Sequence, residues 1–255
     1  MNRFLTSLIL VPSAAYVMVW GPQWLFLIVA STLAFACFHE YRGLARGFGL
    51  NVNVAAGYAI GAGLLLAPSE YTPLLLLVGL LAMTFAAFGE GLKQSLPQAG
   101  ALLLGLAYVF AAWRAGIELR AVHAYWMLFA ITINWAGDTI AFFVGRAIGR
   151  HKLAPRISPG KSWEGAVASL TASCLYGIAM LHYLLPAVSM PYALLLAMAA
   201  NIAGQLGDLA ESALKRGAGV KDSGTFLPGH GGWLDRLDSS LFSMPVVYVL
   251  VKLAN

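Results

Sequence analysis

"NIAGQLGDLAESALKR", residues Asn201–Arg216, sets the problem this sequence poses. Wound as a helix, Asn201, Gln205, Asp208, Ser212 and Lys215 recur at offsets of 0, 4, 7, 11 and 14, so they share one face. Ile202, Leu206 and Leu209 point elsewhere, and Glu211 borders the polar stripe. A carboxylate within hydrocarbon costs about 2.5–3.5 kcal/mol by insertion scales unless it is paired or hydrated. Lys215 and Arg216 alone would read as interfacial anchors. Asn201, Gln205 and Asp208 lie deeper, and predict a functional stripe facing a cavity.

The rest of the chain supplies the hydrocarbon setting. Of 255 residues, 60% are hydrophobic and 11% charged. The mean hydropathy is +0.75, more than a soluble core absorbs. At about 20 apolar residues per crossing, the expected spans are Phe4–Trp20, Gln23–Tyr41, Leu50–Ala67, Thr72–Gly89, Pro97–Trp113, His123–Val144, Ser162–Leu185, Pro191–Ala213 and Ser239–Leu253. The third and last are short, so seven or eight full spans with a partial helix also fit.

The expected fold is therefore an all-α polytopic membrane protein of about nine transmembrane helices. A polar, cytoplasm-facing cavity is expected among the C-terminal helices. No ten-residue alternation suggests a barrel. The start, with Arg3 before an apolar run, reads as a retained first helix, because no A-x-A site follows. Gly57 and Gly61 read as a packing pair. Cys37 and Cys174 offer neither a disulfide framework nor a zinc pattern. With no repeat or linker, residues 1–255 read as one integral membrane domain: a generic hydrophobic half to 120 and a catalytic half from 121.

Charge orients the chain. With nine spans, thirteen Lys and Arg fall on the side of the N-terminus and even-numbered loops, against three (Arg114, Arg120 and Lys252) on the other. The positive-inside rule makes the thirteen-charge face cytoplasmic, with the N-terminus inside and the C-terminus outside. The net charge of +5 thus reflects basic loops, not nucleic-acid binding.

Three further segments carry chemistry. In "INWAGDTIAFFVGR", Asn134 and Asp138 are four apart on one helix face, which suggests a cavity shared with the Asp208 stripe, a structural ion pair with a loop cation being the competing reading for Asp138. After it, "SPGKSWEG" (Ser158–Gly165) offers two hydroxyls, Ser158 and Ser162, with Lys161 and a turn at a helix start that ends on Glu164, a candidate phosphate cradle, while the loop's charges also read as topological. It is no P-loop, since Pro155 stands where a Walker motif needs glycine. Likewise His39-Glu40-Tyr41-Arg42 is no zincin, since Gly43 replaces the second His, and His39 reads as interfacial.

The third segment, "SALKRGAGVKDSGTFLPGHGGWLDRLDS" (Ser212–Ser239), mixes Lys215, Arg216, Lys221 and Arg236 with Asp222, Asp235 and Asp238. Hard oxygen ligands without clustered cysteines suit Mg²⁺. Leu227–Gly232 must turn, and its glycines let backbone N–H groups approach phosphate. His230 and Trp233 can equally be a turn-stabilising and an interfacial residue.

This segment closely resembles the signature of the phosphatidate cytidylyltransferases, or CDP-diacylglycerol synthases, with some fifteen typed positions in register. The stretch Asp138–Arg146 and Ser158–Gly165 are similar to the same family. The resemblance covers the C-terminal half. It implies a multi-pass enzyme of the bacterial inner membrane that joins CTP to phosphatidic acid, giving CDP-diacylglycerol and pyrophosphate. It further implies Mg²⁺, with room for a second cation, a cytoplasmic active site and, as an allowed assembly, a homodimer. Asp208 and Asp235 correspond to the family's metal-binding pair. Lys215, Lys221, Asp222 and Arg236 then join them as catalytic residues. Substrate binding falls to Asn134, Asp138, Ser158, Lys161, Ser162, Glu164, Ser212, Arg216, His230, Gly231, Gly232 and Asp238.

The chemistry agrees with that expectation. A phosphatidate phosphate is already anionic and needs no strong base. The difficulty is bringing it to a polyanionic nucleotide, so positioning and charge neutralisation should dominate. Of the rivals, a CDP-alcohol phosphotransferase lacks its motif here. A CTP-using lipid-alcohol kinase would yield a phosphorylated alcohol. A transporter would need an inverted repeat, and none is evident.

Overall fold

Apolar runs with helical spacing form helices here because hydrocarbon leaves backbone groups no other partner. A computed structural model describes residues 12–71, 74, 75, 77–79, 81, 92–226 and 231–254. Among these, six helices are long and apolar enough to cross a membrane. They are α1 (Gln23–Gly47), α3 (Lys93–Val122), α4 (Ala124–Ile148), α5 (Trp163–Leu184), α6 (Met190–Gly217) and α7 (Leu234–Ala254). The shorter α2 (Val54–Leu66) has 13 residues. The protein is thus a mostly helical integral membrane protein. Residues 4–11 of the expected span Phe4–Trp20, most of the expected span Thr72–Gly89, and His230 lie outside the described residues.

Apolar side chains also face outward, as lipid-facing helices require. Phe142, Phe143, Leu175 and Tyr183 are all well exposed. The sole sheet among the described residues is a hairpin of β1 (Lys152–Ala154) and β2 (Ser158–Ser162), paired antiparallel with Lys152 opposite Ser162. A turn at a helix start was the expectation for this segment. Its basic residues and Pro155 and Pro159 hide a strand pattern five residues long at most.

The described chain divides into two compact units. The first takes its residues from Met1–Gln23, Ala115–Ala213 and Leu237–Asn255, and the second from Trp24–Arg114 and Leu214–Arg236.

In the first unit, close approach depends on small residues. A Cβ on Gly137 would collide with Ser169, Ser173 and Asn201, and one on Gly204 with Asn134. The buried seam is hydrogen-bonded. Asn134 Nδ2 donates to Ser243 Oγ at 3.2 Å. Asn201 Nδ2 donates to Ser169 Oγ at 3.1 Å and Ser173 Oγ at 2.9 Å. Gln205 Nε2 donates to Asn201 Oδ1 at 2.7 Å. The bonds from Asn134 and Asn201 to the serines are interhelical, of the kind that join membrane helices, and the Gln205 bond extends the network one turn along α6. Asn134 and Asn201 are buried at 2% and 0% exposure, so the deep part of each polar stripe meets neighbouring helices, not a cavity.

The second unit packs around aromatic rings. Phe38 sits against Tyr41, Tyr58 and Phe110, with centroids 5.0–6.1 Å apart. Gly57 and Gly61 of α2 give these rings room, Gly57 against Phe38 and Gly61 against Phe110. Tyr41 Oη donates to Ala101 O at 2.7 Å, tying α1 to α3. Residues Leu106–Ala111 of α3 are wound as a π-helix that presents Phe110 to the cluster.

Candidate active site

In the first unit the hairpin positions a lysine. Ser162 caps α5, its Oγ accepting from Gly165 N at 3.2 Å. Glu164 accepts from His151 N and pairs with His151 Nδ1 at 2.7 Å, clamping the hairpin to the helix. Two polar groups of the SPGKSWEG segment, Ser162 and Glu164, therefore serve the local fold. Lys161, just before Ser162 on β2, reaches Asp208 Oδ2 at 2.6 Å. Asp208 Oδ1 accepts from Ser212 Oγ at 3.3 Å, one turn along α6. Asp138, exposed on α4, is within electrostatic reach of both Asp208 and Lys161. One ion pair, partly open to the exterior, thus lies within the electrostatic reach of a second carboxylate.

In the second unit the loop between α6 and α7 folds over two carboxylates. Asp235 Oδ1 accepts from Lys215 Nζ at 2.6 Å. Its Oδ2 accepts from Ser223 N at 2.9 Å, Ser223 Oγ at 2.9 Å and Gly232 N at 2.8 Å. Glu40, on α1, accepts from Trp233 N at 2.9 Å, Leu234 N at 2.8 Å and Ser223 Oγ at 2.9 Å. Trp233, Leu234 and Gly232 carry the N–H groups at the start of α7, which have no partner within the helix. The chain's own carboxylates satisfy them, and the helix dipole favours that charge.

The glycines now have their reason. Gly231 has φ +78, and a Cβ there would meet Asp235 Oδ2. A Cβ on Gly232 would collide with the Glu40 carboxylate.

Comparison with known proteins adds the decisive observation. The sequence matches the Cytidylyltransferase family over residues 1–254. The chain belongs to the cytidylyltransferase family. It is 36% identical over 200 residues to a phosphatidate cytidylyltransferase of Staphylococcus aureus, covering 76% of this chain and 77% of the relative. The protein of the same description from Staphylococcus epidermidis is 38% identical over 186 residues, covering 71% and 72%. That from Staphylococcus saprophyticus is 38% identical over 179 residues, covering 69% of each.

Of the residues singled out in this cytidylyltransferase, Asp138, Lys161, Asp208 and Ser212 come together in the first unit, and Lys215, Gly232 and Asp235 in the second. Asn134 is buried in the interhelical seam. Asp238 caps its own neighbour, accepting from Ser239 N at 2.7 Å. Arg216 donates to Val220 O at 3.2 Å. Lys221, Asp222 and Arg236 are exposed. Ser158 is half-buried on β2.

Glu40 was not among the expected site residues. It lies 193 residues from Trp233 in sequence, beyond any local pattern. The one available signal was a carboxylate just short of the positive end of an apolar span.

The Mg²⁺ implied by the family can be tested against these donors. Mg²⁺ is held by one or two carboxylates together with substrate phosphates and water. Asp208, partly accessible and paired with a displaceable lysine, and Asp138, exposed and within electrostatic reach, supply hard oxygens that fit that donor set. At Asp235, a cation would have to share or replace Lys215 on Oδ1, since three N–H or O–H donors already occupy Oδ2. Among the described residues, no three His, Cys, Asp or Glu side chains form a metal-ligating group.

Proposed function

We propose that this protein is a phosphatidate cytidylyltransferase. It transfers CMP from CTP to phosphatidic acid, yielding CDP-diacylglycerol and pyrophosphate for phospholipid synthesis. The observation that carries the reading is the convergence of Asp138, Asp208 and Lys161, in a chain of the cytidylyltransferase family. That set suits polyphosphate chemistry and offers no nucleophilic triad.

In this reaction a phosphate oxygen of phosphatidate forms a bond to the α-phosphorus of CTP, and the bond from that phosphorus to pyrophosphate breaks. No proton needs to be removed from the attacking group, so the protein's task is electrostatic and positional. Asp208 and Asp138 would hold Mg²⁺, which when bound supplies neutralisation of the triphosphate charge. Lys161, released from Asp208, donates to the incoming phosphate. In the second unit, Glu40 and Asp235 fix the loop that carries Ser223, Asp222 and Lys221. Lys221, exposed there, would meet pyrophosphate, with Arg236 as a further exposed cation of the same unit.

The membrane location follows from the substrate, whose acyl chains stay in the bilayer while the headgroup reacts. The charge asymmetry supports a cytoplasmic site in a bacterial inner membrane, where CTP is available. The test is purified protein with labelled CTP, phosphatidate and Mg²⁺, followed by product identification. A CMP-bearing lipid and pyrophosphate are expected. A phosphorylated lipid alcohol, or substrate flux without CTP turnover, would replace this reading with a kinase or a transporter.

A further inference from the structure

A cavity of about 520 Å³ in the second unit is used by none of the roles above. One wall is a face of α1 carrying His39, Glu40, Arg42 and Arg46; the other is the Ser223–Phe226 segment with Trp233. Arg42 decides its chemistry. Only 6% of it is exposed, and its guanidinium lies 5.7 Å from the centre of the Tyr58 ring. Its Nε meets no hydrogen-bond acceptor among the described residues. A buried cation with an unused N–H edge is costly unless an anion joins it. The ring face offsets part of that cost but accepts none of the in-plane hydrogen bonds.

Two neighbours strengthen the case. Arg46, four residues on, lines the same wall and is exposed, so two guanidinium groups at helical spacing meet one space. His39 adds an imidazole whose Nδ1 lies 3.2 Å from Tyr58 Oη. The acid on this lining, Glu40, already accepts from Trp233 N, Leu234 N and Ser223 Oγ, so its charge is engaged by the loop.

We infer that this cavity is a subsite for a phosphate oxyanion, recognised by Arg42 and Arg46. The inference deepens the cytidylyltransferase reading and rests on it for the identity of the ligand. A planar guanidinium fork gives paired, in-plane hydrogen bonds to a tetrahedral oxyanion, which an ammonium cannot reproduce. Two substrates carry that group: the polyphosphate of the nucleotide and the headgroup of phosphatidate.

The experiment uses the full-length protein in nanodiscs and compares wild type with Arg42→Gln, Arg42→Lys and Arg46→Gln. Arg150→Gln serves as the basic-surface control. KM is measured for CTP and for phosphatidate separately, and inorganic pyrophosphate binding is measured by calorimetry. Arg42→Gln is expected to raise one KM about tenfold or more, with kcat changed less than about threefold, and Arg46→Gln to raise the same KM about threefold. Arg42→Lys should restore little. A shift in the CTP constant with weakened pyrophosphate binding assigns the subsite to the nucleotide. A shift in the phosphatidate constant with pyrophosphate binding unchanged assigns it to the lipid headgroup. Wild type that fails to transfer CMP yet binds pyrophosphate through Arg42 keeps the subsite and removes the reaction. Should Arg42→Gln fail to fold, the other two variants decide. If Arg42→Lys and Arg46→Gln leave both KM values and pyrophosphate binding within about twofold of wild type, the inference is overturned.

Discussion

Lys161–Asp208 in the first unit and Lys215–Asp235 in the second are ion pairs of the same length, 2.6 Å, and opposite character. The first is 26% and 29% exposed, and among the described residues Asp208 has a 3.3 Å hydroxyl contact besides its lysine. The second is 12% and 7% exposed, and Asp235 accepts from three further donors. An accessible pair contributes about 0–1 kcal/mol and can exchange partners. A buried pair is different: removing one member strands the other, at about 3–5 kcal/mol. The same two residue types therefore make a replaceable contact in one place and a structural clasp in the other. Chemistry is expected at the first, and loop integrity at the second.

The largest effect should come from breaking the clasp. Asp235→Asn removes the carboxylate that Lys215 Nζ meets at 2.6 Å and weakens the acceptor of the Ser223 and Gly232 bonds. Transfer should fall by about 100-fold or more, with a clear loss of thermal stability in detergent, as expected for breaking a buried, multiply hydrogen-bonded ion pair. Asp208→Asn should lower transfer by about 10–100-fold, the range for losing a metal ligand or its support, while leaving thermal unfolding nearly unchanged. Equal destabilisation by the two variants would erase the distinction.

A smaller effect sharpens the comparison within the hairpin. Lys161→Gln should lower turnover about tenfold with membrane insertion intact, because a charge-assisted contact is lost. Arg150→Gln, an exposed change in the same basic loop, should stay within about twofold, as surface substitutions usually do. Mild, equal effects would return the loop to a purely topological role.

The smallest change in activity is expected from Glu40→Gln, which keeps the shape and one carbonyl acceptor. Its signature lies in dynamics. Hydrogen exchange across Ser223–Leu234 should quicken, since the α7 N–H groups lose part of their cap. Unchanged exchange would remove Glu40 from the clasp.

Much of this was legible in the residues, for identifiable reasons. Helix spans follow from apolar length, and α5 and α6 begin within one residue of the expected Ser162 and Pro191. Asp138 and Asp208 stood out because a carboxylate amid apolar residues needs an explanation. Helical spacing also placed Asn201 and Gln205 on the Asp208 face, but periodicity reports direction only. Whether that direction meets a cavity or another helix depends on Ser169 and Ser173, about thirty residues away in sequence. The Gly231–Gly232 pair signalled a close backbone approach and suggested phosphate as its target. The carboxylates that fill the space, Asp235 and the distant Glu40, were set by tertiary packing that no local pattern encodes.

The most direct test of the account is a Mg²⁺ titration of CMP transfer by wild type, Asp208→Asn and Asp235→Asn, read with radiolabelled CTP. Asp208→Asn should shift the Mg²⁺ midpoint at least about tenfold higher. Asp235→Asn should lower the maximum rate with its midpoint within about twofold of wild type. A midpoint shift confined to Asp235→Asn, or absent from Asp208→Asn, would contradict the assignment of the accessible pair to chemistry and the buried pair to structure.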